Sequence, residues 1–215
     1  MLLSYAVSNR NRATGFRRGV LMTTLAICAA AYVLGSVPTG LLVGRARGVD
    51  VRAVGSGNIG ATNVARALGK RWAIFVLVCD ALKGFVPVAA ARALDPAGGA
   101  GLVAMAGLAT IVGHMFTIFL RGKGGKGVAT SLGVSLGLSP AIGLACLGVY
   151  AATYALTRLS SLGSLLGIWA FPVIATLRGG LPREYVALSV VVAVLVTLRH
   201  RENIRRLVRG EEKRA

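Results

Sequence analysis

Acidic side chains are scarce in this chain: seven Asp and Glu stand against 25 Lys and Arg, a formal net charge of +18. Histidine occurs only twice, and no grouping of His, Asp and Glu has metal-ligand spacing, so neither a metal nor another cofactor is expected. Cysteine is confined to Cys28, Cys79 and Cys146, each inside an apolar run. That spacing excludes a CxxC pair and a zinc set and leaves buried thiols. A Walker loop is absent too, because Gly122 and Gly127 are followed by Val128 instead of Lys-Ser/Thr. What is abundant is apolar residues, 55% of 215, with 29 glycines and a mean hydropathy of +0.70. These proportions predict an all-α polytopic membrane protein forming one compact bundle. In a soluble domain the basic excess would suggest nucleic acid. Here the Lys and Arg fall mostly in short loops between apolar spans, which points to membrane orientation, anionic lipid and phosphate instead.

Residues 1–21 carry Arg10, Arg12, Arg17 and Arg18 without a run long enough to span, and read as a disordered basic leader, dispensable and outside the native start at Met22. Seven apolar spans follow: 22–44, broken by Pro38; 72–94; 101–120; 128–138, too short to cross unaided; 140–157; 161–177; and 185–198. The spans make one domain over 22–200, and 201–215 form a basic tail whose helix continues the last span outward. Arg92, Arg178 and Arg183 are the basic residues of one side's connections. Those of the other connections lie in the loop 45–71, the loop 121–127 and at Arg158, and more lie in the tail. The positive-inside tendency puts that richer side, and with it the polar stretches, in the cytoplasm.

Three constellations stand out. In GHMFTIFLRGKGGKGVAT, 113–130, the glycines Gly122, Gly124, Gly125 and Gly127 would let backbone N–H groups turn to one anion while Lys123 and Lys126 supply charge, in front of a helix N-terminus. The competing reading is a solvated turn that fixes orientation. Within the second span Asp80 and Lys83 lie three apart on one helix face, where charges cost about 2.5–3.5 kcal/mol each unless paired and turned inward. His114, near the end of the third span, is read as a packed hydrogen-bonding residue. In the tail His200 and Asn203 share a face, and Glu202 and Arg206 are four apart in the favourable order.

Taken together, GSVPTG at 35–40, GSGNIGATNVAR at 55–66, DALKG at 80–84, the 113–130 block and HRENIRRLVRGEE at 200–212 resemble the bacterial acyl-phosphate:glycerol-3-phosphate acyltransferases, the PlsY family. The resemblance runs from Met22 nearly to the end. It implies transfer of a fatty acyl group from acyl phosphate to the 1-hydroxyl of glycerol 3-phosphate at the cytoplasmic face of the bacterial inner membrane, releasing lysophosphatidic acid and phosphate. It also implies that Ser56, Arg66, His200 and Asn203 are catalytic, and that Gly122–Gly127, with Lys123 and Lys126, bind phosphate. Glu202 would be structural, and a soluble enzyme that makes acyl phosphate would be a partner. The residues suit that chemistry on their own terms. Acyl phosphate is already activated, so the protein must hold two phosphates, aim a hydroxyl and stabilise charge on the carbonyl oxygen. Ser56 and the N–H groups of Gly57, Asn58 and Gly60 can bind an anion, Arg66 can grip phosphate bidentately, and Asn58 and Asn63 can orient hydroxyls. His200 is either the base or a phosphate ligand, with the substrate phosphate taking the proton. The HxxxxD acyltransferases are excluded, since Phe119 and Arg205 stand five residues after His114 and His200. A small transporter for a phosphorylated or anionic solute is the rival class, opposed by the missing internal repeat and by polar motifs gathered on one face.

Overall fold

A computed structural model describes residues 21–94 and 99–214. The leader 1–21 therefore lies outside the described residues, except for Leu21. The first helix, α1, spans 21–36 and ends where Val37 and Pro38 interrupt the ladder. After the break come α2 (Thr39–Ala46), α3 (Ala61–Leu68), α4 (Lys70–Leu94), α5 (Gly99–Met115), α6 (Val128–Leu138), α7 (Pro140–Thr157), α8 (Ser160–Arg178), α9 (Arg183–Arg199) and α10 (Arg201–Val208). Five stretches are long and apolar enough to cross a membrane: Leu21–Ala46, Lys70–Leu94, Gly99–Leu120, Pro140–Thr157 and Ser160–Arg178. The 11-residue α6 and the 17-residue α9 are shorter.

The expected helix running outward from the last span is instead two helices. α9 stops at Arg199, His200 adopts φ −100° and ψ 7°, and α10 sets off separately. The break turns the tail back across the end of the bundle.

Helices meet through glycines. A Cβ at Gly84 would lie 2.1 Å from the Thr130 carbonyl oxygen, and one at Gly133 would lie 1.8 Å from that of Ala81, so α4 and α6 touch backbone to backbone. α1 and α5 do the same through Gly35 and Gly113. Close backbone approach gives dispersion contact where lipid and side chain are equally apolar. The core between α5, α6, α8 and α9 is filled by Ile111, Met115, Phe171, Val192 and Val196. Ile74, Phe75, Leu82, Leu144 and Val173 stay outside it, as a lipid-facing surface requires.

Asp80 and Lys83 are both buried and pair at 2.8 Å. Lys83 Nζ also donates to the Val37 carbonyl at the Pro38 break, at 2.8 Å. That carbonyl accepts from the Thr39 N–H as well, so both its lone pairs are used. His114 is packed, as expected, but its Nδ1 makes no hydrogen bond and lies 4.0 Å from the Asp80 carboxylate. A second, smaller core of Leu41, Val51, Ile59, Val64 and Val76 packs the loop 47–60 onto α2, α3 and α4.

Candidate functional site

The first wall of the site is the loop 51–60. Asn63, buried in α3, donates through Nδ2 to the carbonyls of Val51 (2.7 Å) and Val54 (3.0 Å). Its Oδ1 accepts the Ser56 N–H at 2.9 Å. With these three bonds Asn63 shapes the loop and does not orient a substrate hydroxyl. Asn58 folds back similarly, its Oδ1 taking the Gly60 N–H at 2.9 Å. Gly55 and Gly57 have φ of +59° and +68°, the left-handed region that lets the turn reverse. Ser56 is left exposed at its tip. The Arg66 side chain runs beside Gly55, where a Cβ would come within 3.3 Å of its Cδ.

The glycine loop forms the second wall, and it is not the open nest of N–H groups expected from its composition. The Gly122 N–H donates to Thr117, Lys123 to Leu120, Gly124 to Met115 and Gly125 to His114, all at carbonyls of the preceding segment. The glycines serve close approach instead. A Cβ at Gly124 would sit 2.1 Å from the His114 carbonyl oxygen, and one at Gly125 would sit 2.1 Å from His114 Nε2. Gly127 has φ +86° and leads into α6, whose first-turn N–H groups have no partner within the helix. Anion binding by backbone is thus confined to the α6 end of the loop. Lys123 and Arg121 are exposed, whereas Lys126 turns inward.

The tail is the third wall. Lys126 Nζ donates to Asn203 Oδ1 at 2.5 Å, and Asn203 Nδ2 donates to Glu212 Oε1 at 2.5 Å. The other Glu212 oxygen pairs with Arg206 Nε at 2.6 Å. The structural glutamate is therefore Glu212, whose side chain is 9% exposed, and not Glu202. Glu202 points outward, 3.2 Å from Arg205 and 3.7 Å from Arg201, and does not pair with Arg206 as the i,i+4 spacing suggested. Arg199 reaches back into the second wall, donating to the carbonyls of Gly124 (2.8 Å) and Gly125 (3.2 Å). His200 is buried, with Nδ1 2.8 Å from the Val196 carbonyl. A carbonyl can only accept, so Nδ1 carries the proton and Nε2 holds a free lone pair in the neutral ring.

The walls also meet through charge. Burial pushes Lys126 down to about 8, opposed by Glu212 and aided by Arg206, Arg66 and Arg199. His200 is pushed down to about 4, by burial first and Lys126 next, with the Val196 carbonyl and Glu212 opposing and Arg199 adding to the depression. Glu212 is held below the usual carboxylate range although burial pushes it up, because Asn203 and Arg206 hydrogen-bond it and Arg206 attracts it. Arg66, Lys126, and His200 with Asn203, drawn from three stretches of sequence, thus share one site. Ser160, at the start of α8, closes the edge through Thr62 and Tyr150, each at 3.1 Å. Among the described residues no group of three or more His, Cys, Asp or Glu could hold a metal ion.

Sequence reasoning missed Asn63 as loop clamp, Arg199 and Glu212. The one available signal was the repeated acid in Gly210-Glu211-Glu212, a carboxylate placed just beyond a basic helix.

The family model described as glycerol-3-phosphate acyltransferase matches residues 25–210. A glycerol-3-phosphate acyltransferase of Geobacter sulfurreducens is 50% identical over 197 residues, covering 90% of this chain and 98% of the relative. One from Anaeromyxobacter dehalogenans is 52% identical over 194 residues, covering 87% and 95%. Among solved structures, PlsY, an integral membrane glycerol 3-phosphate acyltransferase in its glycerol 3-phosphate form, superposes with a TM-score of 0.85 at 39% identity, covering 90% of this chain and 96% of that one. Its lysophosphatidic acid form gives 0.83 at 38% identity, covering 89% and 95%.

Proposed function

Because the chain belongs to the glycerol-3-phosphate acyltransferase family and is an integral membrane acyltransferase, we propose that it takes its acyl group from acyl phosphate and delivers it to the 1-hydroxyl of glycerol 3-phosphate. The products are lysophosphatidic acid and phosphate, at the entry to membrane phospholipid synthesis. The observation that supports this reading best is the meeting of Lys126, Arg66, His200 and Asn203 in one cationic site that holds a neutral imidazole. Two phosphates need concentrated positive charge, and a hydroxyl nucleophile needs a base that is unprotonated at neutral pH.

In this mechanism Lys126 and Arg66 hold the glycerol 3-phosphate phosphate, joined by N–H groups at the α6 start and by Asn58; Gly57, expected to join them, has its N–H bonded to the Val54 carbonyl. Asn203 keeps the Lys126 ammonium aimed inward. The substrate hydroxyl attacks the acyl carbonyl carbon while His200 Nε2 accepts its proton. The Ser56 N–H, the Gly57 N–H and the Gly60 N–H are taken within the loop, so the Ser56 hydroxyl stabilises the oxyanion, and phosphate departs from the collapsing intermediate. A bound phosphate dianion next to His200 raises its affinity for a proton, so the base strengthens when the site is loaded. In the same reading the apolar spans number seven, with α6 and α9 completing the five longer ones. The site opens on the cytoplasmic side of the inner membrane, and a soluble enzyme delivers acyl phosphate there.

The test is direct. Protein purified in detergent and given acyl phosphate with glycerol 3-phosphate should release phosphate and lysophosphatidic acid in equal amounts, and acyl-CoA should not replace acyl phosphate. Silence in this assay, with uptake of a phosphorylated solute into vesicles, would turn the reading to transport.

A further inference from the structure

The second wall contains a connection that the chemistry above does not use. Gly124 and Gly125 are bound on both edges. Their N–H groups donate to Met115 and His114 at the end of α5, and their carbonyls accept from Arg199 at the end of α9. The Nε2 edge of the His114 ring abuts Gly125, leaving no space for a side chain there. Arg199 itself is oriented by Phe116, its guanidinium carbon 5.6 Å from the ring centroid. It pairs with no carboxylate among the described residues, so its hydrogen bonds to the loop are the specific polar contacts that fix it.

Position in the chain gives this its meaning. Gly125 immediately precedes Lys126, and Arg199 immediately precedes His200. One guanidinium therefore ties the residue before the phosphate-holding lysine to the residue before the imidazole. A planar two-donor fork sets both distance and angle between the two backbones, which a single-point ammonium cannot do.

We infer that Arg199 is a positioning residue: it fixes the Gly124–Gly125 segment so that Lys126 reaches Asn203 beside His200, and it acts on glycerol 3-phosphate through Lys126 without touching the substrate. The inference rests on the acyltransferase reading. The charged groups facing Lys126 are Arg66 from α3, Arg199 from α9, Arg206 from α10 and Glu212 from the tail, with His200 neutral beside it.

The experiment compares the full-length wild type with Arg199→Lys, Arg199→Gln, Lys126→Ala and the double variant Arg199→Gln/Lys126→Ala, each checked for a cooperative thermal transition in detergent. Arg199→Lys keeps the charge and loses the fork. It should raise the KM for glycerol 3-phosphate about tenfold to a hundredfold, the range for losing hydrogen bonds to a charged group, with a smaller change in kcat. Arg199→Gln should do the same and also move the alkaline limb of kcat/KM upward in pH, because one cation near Lys126 is gone. In the Lys126→Ala background Arg199→Gln should change KM by less than about twofold, since the residue it acts through is missing. Additive losses in the double variant, or a wild-type KM in Arg199→Lys, overturn the inference while the acyltransferase reading stands. A fall in kcat at unchanged KM in both Arg199 variants overturns it as well, by putting Arg199 on the reacting atoms. A wild type without glycerol 3-phosphate acylation overturns the reading itself. If Arg199→Gln does not fold, Arg199→Lys alone and combined with Lys126→Ala decides the question by the same criteria.

Discussion

Lys126 and Asn203, 77 positions apart in the chain, are joined by one hydrogen bond from the lysine ammonium to the amide oxygen. The bond fixes the sense of the asparagine: its oxygen faces the cation and its NH2 faces Glu212. Replacing Asn203 by Asp would put a second carboxylate against Glu212, and replacing it by Ala would release both neighbours.

The lysine's depressed proton affinity makes substrate binding pH-dependent. In the free protein Lys126 titrates at about 8, and a bound phosphate dianion raises that value. Glycerol 3-phosphate binding therefore takes up protons near and above pH 8. KM should be flat below that pH and rise by up to about tenfold per unit above it. Lys126→Gln should raise KM throughout and abolish the alkaline rise, as steady-state kinetics between pH 6 and 10 will measure. A wild-type KM independent of pH across that range contradicts the assignment.

For His200 the window lies on the acid side. Its folded value of about 4 is below the unfolded value, so the unfolded chain binds the extra proton between roughly pH 6.5 and 4, and stability falls as pH drops through that range. The full loss is about 3 kcal/mol. His200→Gln should remove that acid sensitivity from thermal unfolding curves. It should also lower kcat on the order of a hundredfold at every pH where the wild type is active. A His200→Gln enzyme with near-normal kcat and the wild-type profile would give the role of base to the substrate phosphate.

The two tail glutamates should separate cleanly. Glu212→Ala leaves Arg206 and the Asn203 NH2 without their acceptor inside the site and should lower the thermal transition along with activity, by about 1–3 kcal/mol of stability. Glu202→Ala removes exposed pairs with Arg205 and Arg201 and should stay within about 0.5 kcal/mol of wild type. The reverse order would mean that the tail packs otherwise.

The pair in α4 gives a non-additive prediction. Lys83→Ala leaves Asp80 buried at the centre of the bundle with His114 4.0 Å away, a loss of about 3–5 kcal/mol for breaking a buried pair from one side. Asp80→Ala should behave alike, and the double replacement should be milder than either single change. Thermal unfolding of the three variants in one detergent measures this, and equal additive losses would refute the pairing.

Much of this was legible in the residues. The apolar runs gave most helix positions, Pro38 gave the break, and the three-residue spacing of Asp80 and Lys83 gave their contact, because all of these are local consequences of helix geometry. Ser56, Arg66, Lys126, His200 and Asn203 were visible as chemistry-bearing types in polar stretches. The meaning of the glycines was not. Gly124 and Gly125 have the composition of an anion nest, and only the run of the chain against His114 and Met115 reveals close packing instead. Arg199 and Glu212 were hidden because their partners lie far off in sequence or across a turn, where no periodicity links them. Glu202 drew notice by its i,i+4 relation to Arg206, but α10 carries it to solvent while the chain beyond Gly210, with φ +70°, brings Glu212 inward.

The Val37 carbonyl, reached by Lys83 across 46 positions, bears on how the bundle is assembled during synthesis. α1 emerges and enters the bilayer before α4 exists, so its interruption at Pro38 must first be met by water or by the translocation machinery. When α4 follows, its ammonium and carboxylate can leave the aqueous path at modest cost only by seating Lys83 at that interruption. The break at Pro38 and the charged pair of α4 thus complete one another only when the two helices lie side by side.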